Sequence, residues 1–264
     1  MAFESDLTGQ LIIDDSFRSG EDGEGSKGWI PRDYAAVPLG SMPFAGRVPM
    51  PLIPRREWSD LIEAMERSKT RVSDLCTQAG LPPKNQQQTN YCWINAPTYL
   101  TEVCGVIQGD PTVILSPASV GAKIKNYRNQ GGWGAEGLQY IVEHGVCSVD
   151  FWPANAIERK YDNPESQADR AKHKVEEWFD LEPRNFDELM TCLLYRIPVA
   201  IGLNWWSHEV SAIDPVVISP GKYGVRIRNS WGESYGDRGY AVLTESKATP
   251  DDAVAPRVST PGAA

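Results

Sequence analysis

Lys84-Asn85-Gln86-Gln87-Gln88-Thr89-Asn90-Tyr91-Cys92-Trp93 is the stretch on which the reading of this chain turns. It carries no charge after Lys84 and ends in a cysteine that opens an apolar helical segment running to about Val106. A thiol at a helix N-terminus faces unpaired N–H groups and the positive end of the helix dipole. Both lower its pKa and favour the thiolate, the form that attacks a carbonyl. Gln86 lies upstream, and an amide folded back over the cysteine is a hydrogen-bond donor for a tetrahedral oxyanion.

Two later stretches supply what such a thiol needs. His208 stands in Trp205-Trp206-Ser207-His208-Glu209-Val210, where an apolar strand begins, and Asn229-Ser230-Trp231-Gly232 follows an alternating strand. An imidazole that takes a thiol proton needs its second nitrogen held by an acceptor, and an asparagine oxygen serves. Trp231 is placed to cover that bond. Taken singly, Cys92 reads as a buried structural cysteine and His208 as a satisfied histidine; the ordered set reverses both readings. His144, at a helix end, and His173, on a polar helix, read as a dipole partner and a surface residue.

With these residues in view the chain resembles the papain-like (C1) cysteine peptidases over about residues 70–245. Gln86 followed by Cys92-Trp93 is similar to the family's nucleophile loop, and Asn229-Ser230-Trp231-Gly232 with Tyr235-Gly236-Asp237-Arg238-Gly239-Tyr240 to its asparagine motif. Asn129-Gln130-Gly131-Gly132-Trp133 resembles the glycine pair of the substrate cleft, and Asp74–Pro83 the mature N-terminal segment. The resemblance implies Cys92 as nucleophile, His208 as base and then acid, Asn229 as orienting residue and Gln86 as oxyanion donor. It further implies that Gly131 and Gly132 pair with an extended peptide or protein substrate, that Trp133 and Trp231 wall the cleft, and that no cofactor or metal is needed. Thr89 and Asn129 stand where family members usually carry a disulfide. Tyr91 replaces a small residue before the nucleophile and is expected to narrow the cleft, and Pro97 to bend the helix.

The rest of the chain bounds the answer. Its 264 residues suffice for a large core, and 41% hydrophobic residues with nine tryptophans mark a globular protein. A net charge of −9 without any Lys/Arg-rich run argues against a nucleic-acid binder. No apolar stretch is long enough for a membrane span. Five scattered cysteines without a C-x-x-C pair argue against a zinc site or a disulfide framework. The acidic N-terminus lacks a signal pattern, so the expected location is the cytoplasm of a cell or host, with virion association as a variant.

The expected architecture is α+β: an extended arm (1–50) docking through Ile30, Tyr34 and Met42–Phe44, an amphipathic helix (51–69), a papain-like domain (70–245) and a disordered tail (246–264). Within the domain a helical part (about 74–150) precedes a β part (151–245). Helices are expected from Ser116-Pro117, over Ala135–His144, from Asn163-Pro164 to Phe179, and from Asn185. Strands are expected over Ile197–Leu203, His208–Ile218, Tyr223–Arg228 and Gly239–Thr244, with a turn at Ser219–Lys222. The functional expectation is a thiol peptidase. Two alternatives stand beside it. One is a weakly active or inactive structural component that its arm anchors in a larger assembly, such as a virus particle; the other is Cys–His chemistry on another amide.

Overall fold

The computed structural model describes residues 3–18 and 25–257 of the chain. Its helices are α1 (Arg55–Ser68), α2 (Val72–Gln78), α3 (Cys92–Gln108), α4 (Ala118–Ile124), α5 (Gly134–His144), α6 (Pro164–Arg170), α7 (Phe186–Leu194) and α8 (Glu245–Ala248). Its strands are β1 (Ile12–Ile13), β2 (Ala45–Gly46), β3 (Trp178–Asp180), β4 (Val199–Leu203), β5 (His208–Ser219), β6 (Lys222–Arg228), β7 (Tyr240–Thr244) and β8 (Asp252–Pro256). They form one sheet in the order β1-β7-β6-β5-β4-β8-β3-β2. Only the outermost pairs, β1 with β7 and β2 with β3, are parallel.

Local chemistry accounts for most of the boundaries. Asn163 caps α6, its side-chain oxygen accepting from the amides of Glu165 and Ser166 at 3.0 Å, with Pro164 at the first helical position. Asn185 does the same for α7 through Glu188 N at 3.0 Å. α3 is buried from Cys92 to Cys104 and packs across β5. Pro97 leaves α3 unbroken to Gln108. On this side of the sheet one apolar core joins α2, α3, α4 and α5 around Trp93, Tyr99 and Leu138. A second core, with Trp58, Leu189 and Trp206, fills the space between the strands and α1 and α7.

Several expectations need correction. Residues 246–257 are ordered: Glu245–Ala248 is a helix and Asp252–Pro256 is the strand β8, paired on both sides, with β4 and with β3. Residues 258–264 of the expected tail, like 1–2 and 19–24 of the arm, lie outside the described residues. α6 stops at Arg170 instead of reaching Phe179, because Trp178–Asp180 is drawn into the sheet as β3. The β half is therefore not confined to 151–245; it recruits β1 and β2 from the arm and β8 from the C-terminal segment, and carries α6 and α7 within it. The arm does not dock through Ile30, which is 51% exposed, but through Trp29 beside it, which is 5% exposed. Tyr91 turns inward, packs against Gly121 and donates to Arg128 O at 2.8 Å, so it does not narrow the cleft.

Candidate active site

The two halves are stitched together where the sequence motifs meet. Gln86 N donates to Ser230 O at 2.8 Å and Gly232 N to Lys84 O at 2.9 Å, so the loop before Cys92 runs antiparallel to the Asn229–Gly232 motif. Lys84 fixes the loop's other end. Its ammonium is paired with Glu102 of α3 and donates to Leu115 O at 2.7 Å, all inside the protein. At Asn129, one of the two positions where the resemblance would place a disulfide, the side chain makes hydrogen bonds instead. Its side-chain oxygen accepts from Asn90 N at 2.6 Å and its amide donates to Gln88 O at 3.1 Å. All five cysteines are free.

Cys92 opens α3 and is fully buried. On the facing strand, His208 Nε2 lies 2.8 Å from Asn229 Oδ1, and the indole of Trp231 stacks on the imidazole at 4.7 Å with 27° between the planes. The stack covers the His208–Asn229 bond, and both residues are buried. Asn229 Oδ1 also accepts from Ser230 N at 2.7 Å, which fixes the amide flip. The Gln86 side chain is held from both ends: its oxygen accepts from Ser230 Oγ at 2.5 Å and its amide donates to Thr89 O at 2.8 Å. The structure thus brings Cys92, His208, Asn229, Gln86 and Trp231 into one neighbourhood. Gly132 lies against Trp93, Gly131 lies against the arm at Gly28, and Trp133 immediately precedes α5.

The arm lies across this neighbourhood. Gly132 N donates to Gly28 O at 3.0 Å and Ile30 N donates to Gly132 O at 2.9 Å, a parallel backbone pairing centred on Trp29. Gly28 passes so close to Asn90 that a Cβ there would stand 2.1 Å from Asn90 O, and Gly131 has the same closeness to Gly28 O. Ser26 O accepts from Gln86 Nε2 at 2.9 Å and from Trp231 Nε1 at 3.1 Å. Beyond the crossing the arm is locked by a buried guanidinium. Arg32 grips Asp180 of β3 with two bonds, at 2.8 and 2.9 Å, and donates to Val37 O and Pro38 O. Tyr34 OH donates to Asp252 Oδ1 of β8 at 2.8 Å.

This cover reverses the expected electrostatics of the thiol. Backbone amides of Glu209, Trp93 and Trp29 face Cys92 and favour the thiolate, but burial outweighs them and pushes the thiol up. Burial is the larger cause, because the neighbouring Glu209 is itself pushed well above the carboxylate range towards its neutral form. Among the described residues no group of His, Cys, Asp and Glu is placed to hold a metal ion. The sequence reading missed three residues at the site: Ser26, Trp29 and Glu209. A tryptophan set among glycines in Gly25-Ser26-Lys27-Gly28-Trp29 was the available signal for the arm, and a glutamate beside the strand-initial histidine for the third.

No family model matches the chain. It is 25% identical over 175 residues to cathepsin L 2 of Paramecium tetraurelia, covering 61% of this chain and 54% of that protein. With peptidase 1 of Psoroptes ovis it shares 24% identity over 192 residues, covering 62% and 57%. The chain thus spans little more than half the length of these curated relatives. Among solved structures, xylellain, a cysteine protease from Xylella fastidiosa, superposes with a TM-score of 0.60 at 15% identity over 92% of this chain and 99% of that one. The bromelain protease of Ananas comosus, solved with the E64 inhibitor, gives 0.60 at 20% identity, covering 71% and 97%. With its helical and sheet halves joined at this site, the chain has the α+β fold of the papain-like cysteine peptidases.

Proposed function

We propose that this protein is a cysteine peptidase whose resting form is closed by its own N-terminal arm. The observation that carries the proposal is that the site already holds an extended peptide, Gly25–Ile30, across Cys92. A Gly132 backbone rung and the Gln86 amide hold it, the groups a substrate peptide would use. With the arm lifted, Cys92 Sγ gives its proton to His208 and attacks the scissile carbonyl carbon, and Gln86 Nε2 stabilises the oxyanion. The C–N bond breaks as His208 returns the proton to the leaving amine, and water, deprotonated by His208, releases the acyl group from sulfur. Asn229 holds the imidazole through this cycle, and Trp231 keeps that hydrogen bond dry.

The test is covalent labelling of the full chain by a peptidyl epoxide, located by peptide mass spectrometry. In the wild type, slow labelling at Cys92 is expected. Trp29→Ala, which weakens the cover, is expected to label at least about tenfold faster, and Cys92→Ala or His208→Ala to abolish labelling. No labelling of either the wild type or Trp29→Ala overturns the proposal. The full burial of Cys92 favours a second reading, a catalytically silent component of a larger assembly, and that result would select it.

A further inference from the structure

The Trp29 indole fills a pocket whose floor has a chemistry the indole does not satisfy. Gly202 of β4 leaves room for the ring: a Cβ there would stand 2.2 Å from Trp29 Nε1. In the sheet Gly202 pairs with Glu209 of β5 on one side and with Asp252 of β8 on the other. Residues directly opposite in a ladder project to the same face, so both carboxyl groups flank the spot over Gly202 that the indole ring occupies. Glu209 is 2% exposed, and among the described residues its carboxyl meets no polar group but the backbone amide of Gly134; Trp29 Nε1 has no hydrogen-bond partner. Asp252, by contrast, is bonded to Tyr34.

A buried carboxyl left with no more than one backbone amide is costly unless something is meant to meet it. The α5 N-terminus meets it only in part. Gly134 packs so tightly on Glu209 that a Cβ there would lie 2.2 Å from Oε1. We infer that the pocket now filled by Trp29 selects a basic side chain of the peptide substrate, with Glu209 as its specificity residue and Asp252 reinforcing its charge. An arginine or lysine side chain has the length of the indole and carries the several donors that Glu209 lacks. Burial keeps Glu209 near its neutral form while Trp29 is seated, so the closed state needs no counter-charge. An entering cation would draw it back to the carboxylate. The chain's net charge of −9 also favours the approach of a cationic peptide.

This inference rests on the peptidase reading for its substrate but is testable without turnover. Full-length Trp29→Ala leaves a cavity over Glu209, and n-butylguanidinium and indole are the two probes, read by thermal shift. The guanidinium is expected to raise the melting temperature of Trp29→Ala and to do nothing for Trp29→Ala/Glu209→Gln. Stabilisation by indole alone, or equal stabilisation of both variants by the guanidinium, overturns the inference. Trp29→Leu carries the same comparison where the alanine variant fails to fold. For turnover, a positional-scanning library of fluorogenic peptides on Trp29→Ala should show Arg or Lys preferred over Leu by about tenfold or more at one acyl-side position. Glu209→Gln should reduce that preference to near parity. A preference for Leu or Phe overturns the inference. Guanidinium binding without turnover of any peptide would leave the pocket standing and remove the peptidase reading instead.

Discussion

Two irregular segments meet over Cys92, and they are held in opposite ways. The loop Lys84–Tyr91 is fixed from within and beneath. Lys84 is tied to Glu102, Gln86 to its own loop and to Ser230, and Asn90 to Asn129. The arm segment Gly25–Ile30 has none of these side-chain ties of its own. Its backbone pairs with Gly132, one carbonyl is shared by Gln86 and Trp231, and one indole is inserted. Its firm anchor, Arg32 on Asp180, lies just beyond the crossing. The difference teaches which segment the proposed peptidase cycle would move: the cleft wall stays and the strap over it lifts. On that reading every bond across the cleft is one that an incoming peptide replaces.

The largest effect expected from breaking this contrast is on the loop. Lys84→Ala leaves the buried Glu102 carboxyl with the Leu115 amide but without its ammonium partner, a loss of about 3 kcal/mol by denaturant unfolding. Loss under about 1 kcal/mol would mean that the loop is held by its backbone alone. Arg32→Ala strands Asp180 in the same way and should cost about 3 kcal/mol. Unlike Lys84→Ala, it should also speed alkylation of Cys92 by iodoacetamide under native conditions, because it loosens the strap rather than the wall. Equal alkylation rates in the two variants would erase the distinction.

A pH series sharpens it further. Glu209 faces Cys92 on α3, Gly134 at the start of α5 and Asp252 on β8, and its pKa is raised in the closed state. Lifting Trp29 admits water and lets that pKa fall towards the ordinary carboxylate value. The closed state therefore holds the extra proton. Closure is fully favoured at pH below the ordinary value of about 4.5 and weakens as pH rises through the raised one. Alkylation of Cys92 should climb with pH more steeply in the wild type than in Glu209→Gln; parallel slopes would remove Glu209 from the closing equilibrium. The smallest effect is expected at Asn129. Its bonds to the Gln88–Asn90 stretch are exposed, so Asn129→Ala should cost about 1 kcal/mol with little change in alkylation.

The loop and the arm also differ in how far the sequence discloses them. Cys92, His208 and Asn229 are legible because each sits at a marked boundary: a helix start, a strand start and a strand end. Asn163-Pro164 and Asn185 announce α6 and α7 for the same reason, since caps act within a few residues. β8 is not legible. Asp252-Ala253-Val254-Ala255-Pro256 is short, alanine-rich and ends in proline, and only its two neighbours, β4 and β3, make it a strand. The lost end of the helix expected to reach Phe179 has the same origin, because Trp178–Asp180 answers to β8 and to β2 rather than to its own helical period. Trp29 needs a pocket to have meaning, and that pocket is assembled from β4, β5 and β8, strands that lie far from it along the chain.

One consequence follows from where the arm's two short strands lie. β1 covers the outer edge of β7, and β2 covers the outer edge of β3, so the first fifty residues bracket the whole sheet as well as crossing its cleft. An uncovered strand edge is a template for pairing with another molecule. Cutting the arm away to open the cleft would therefore bare both ends of the sheet at once, and a shortened chain should show itself first by self-association. Lifting Gly25–Ile30 alone, with both brackets in place, would open the same cleft and leave both edges of the sheet covered.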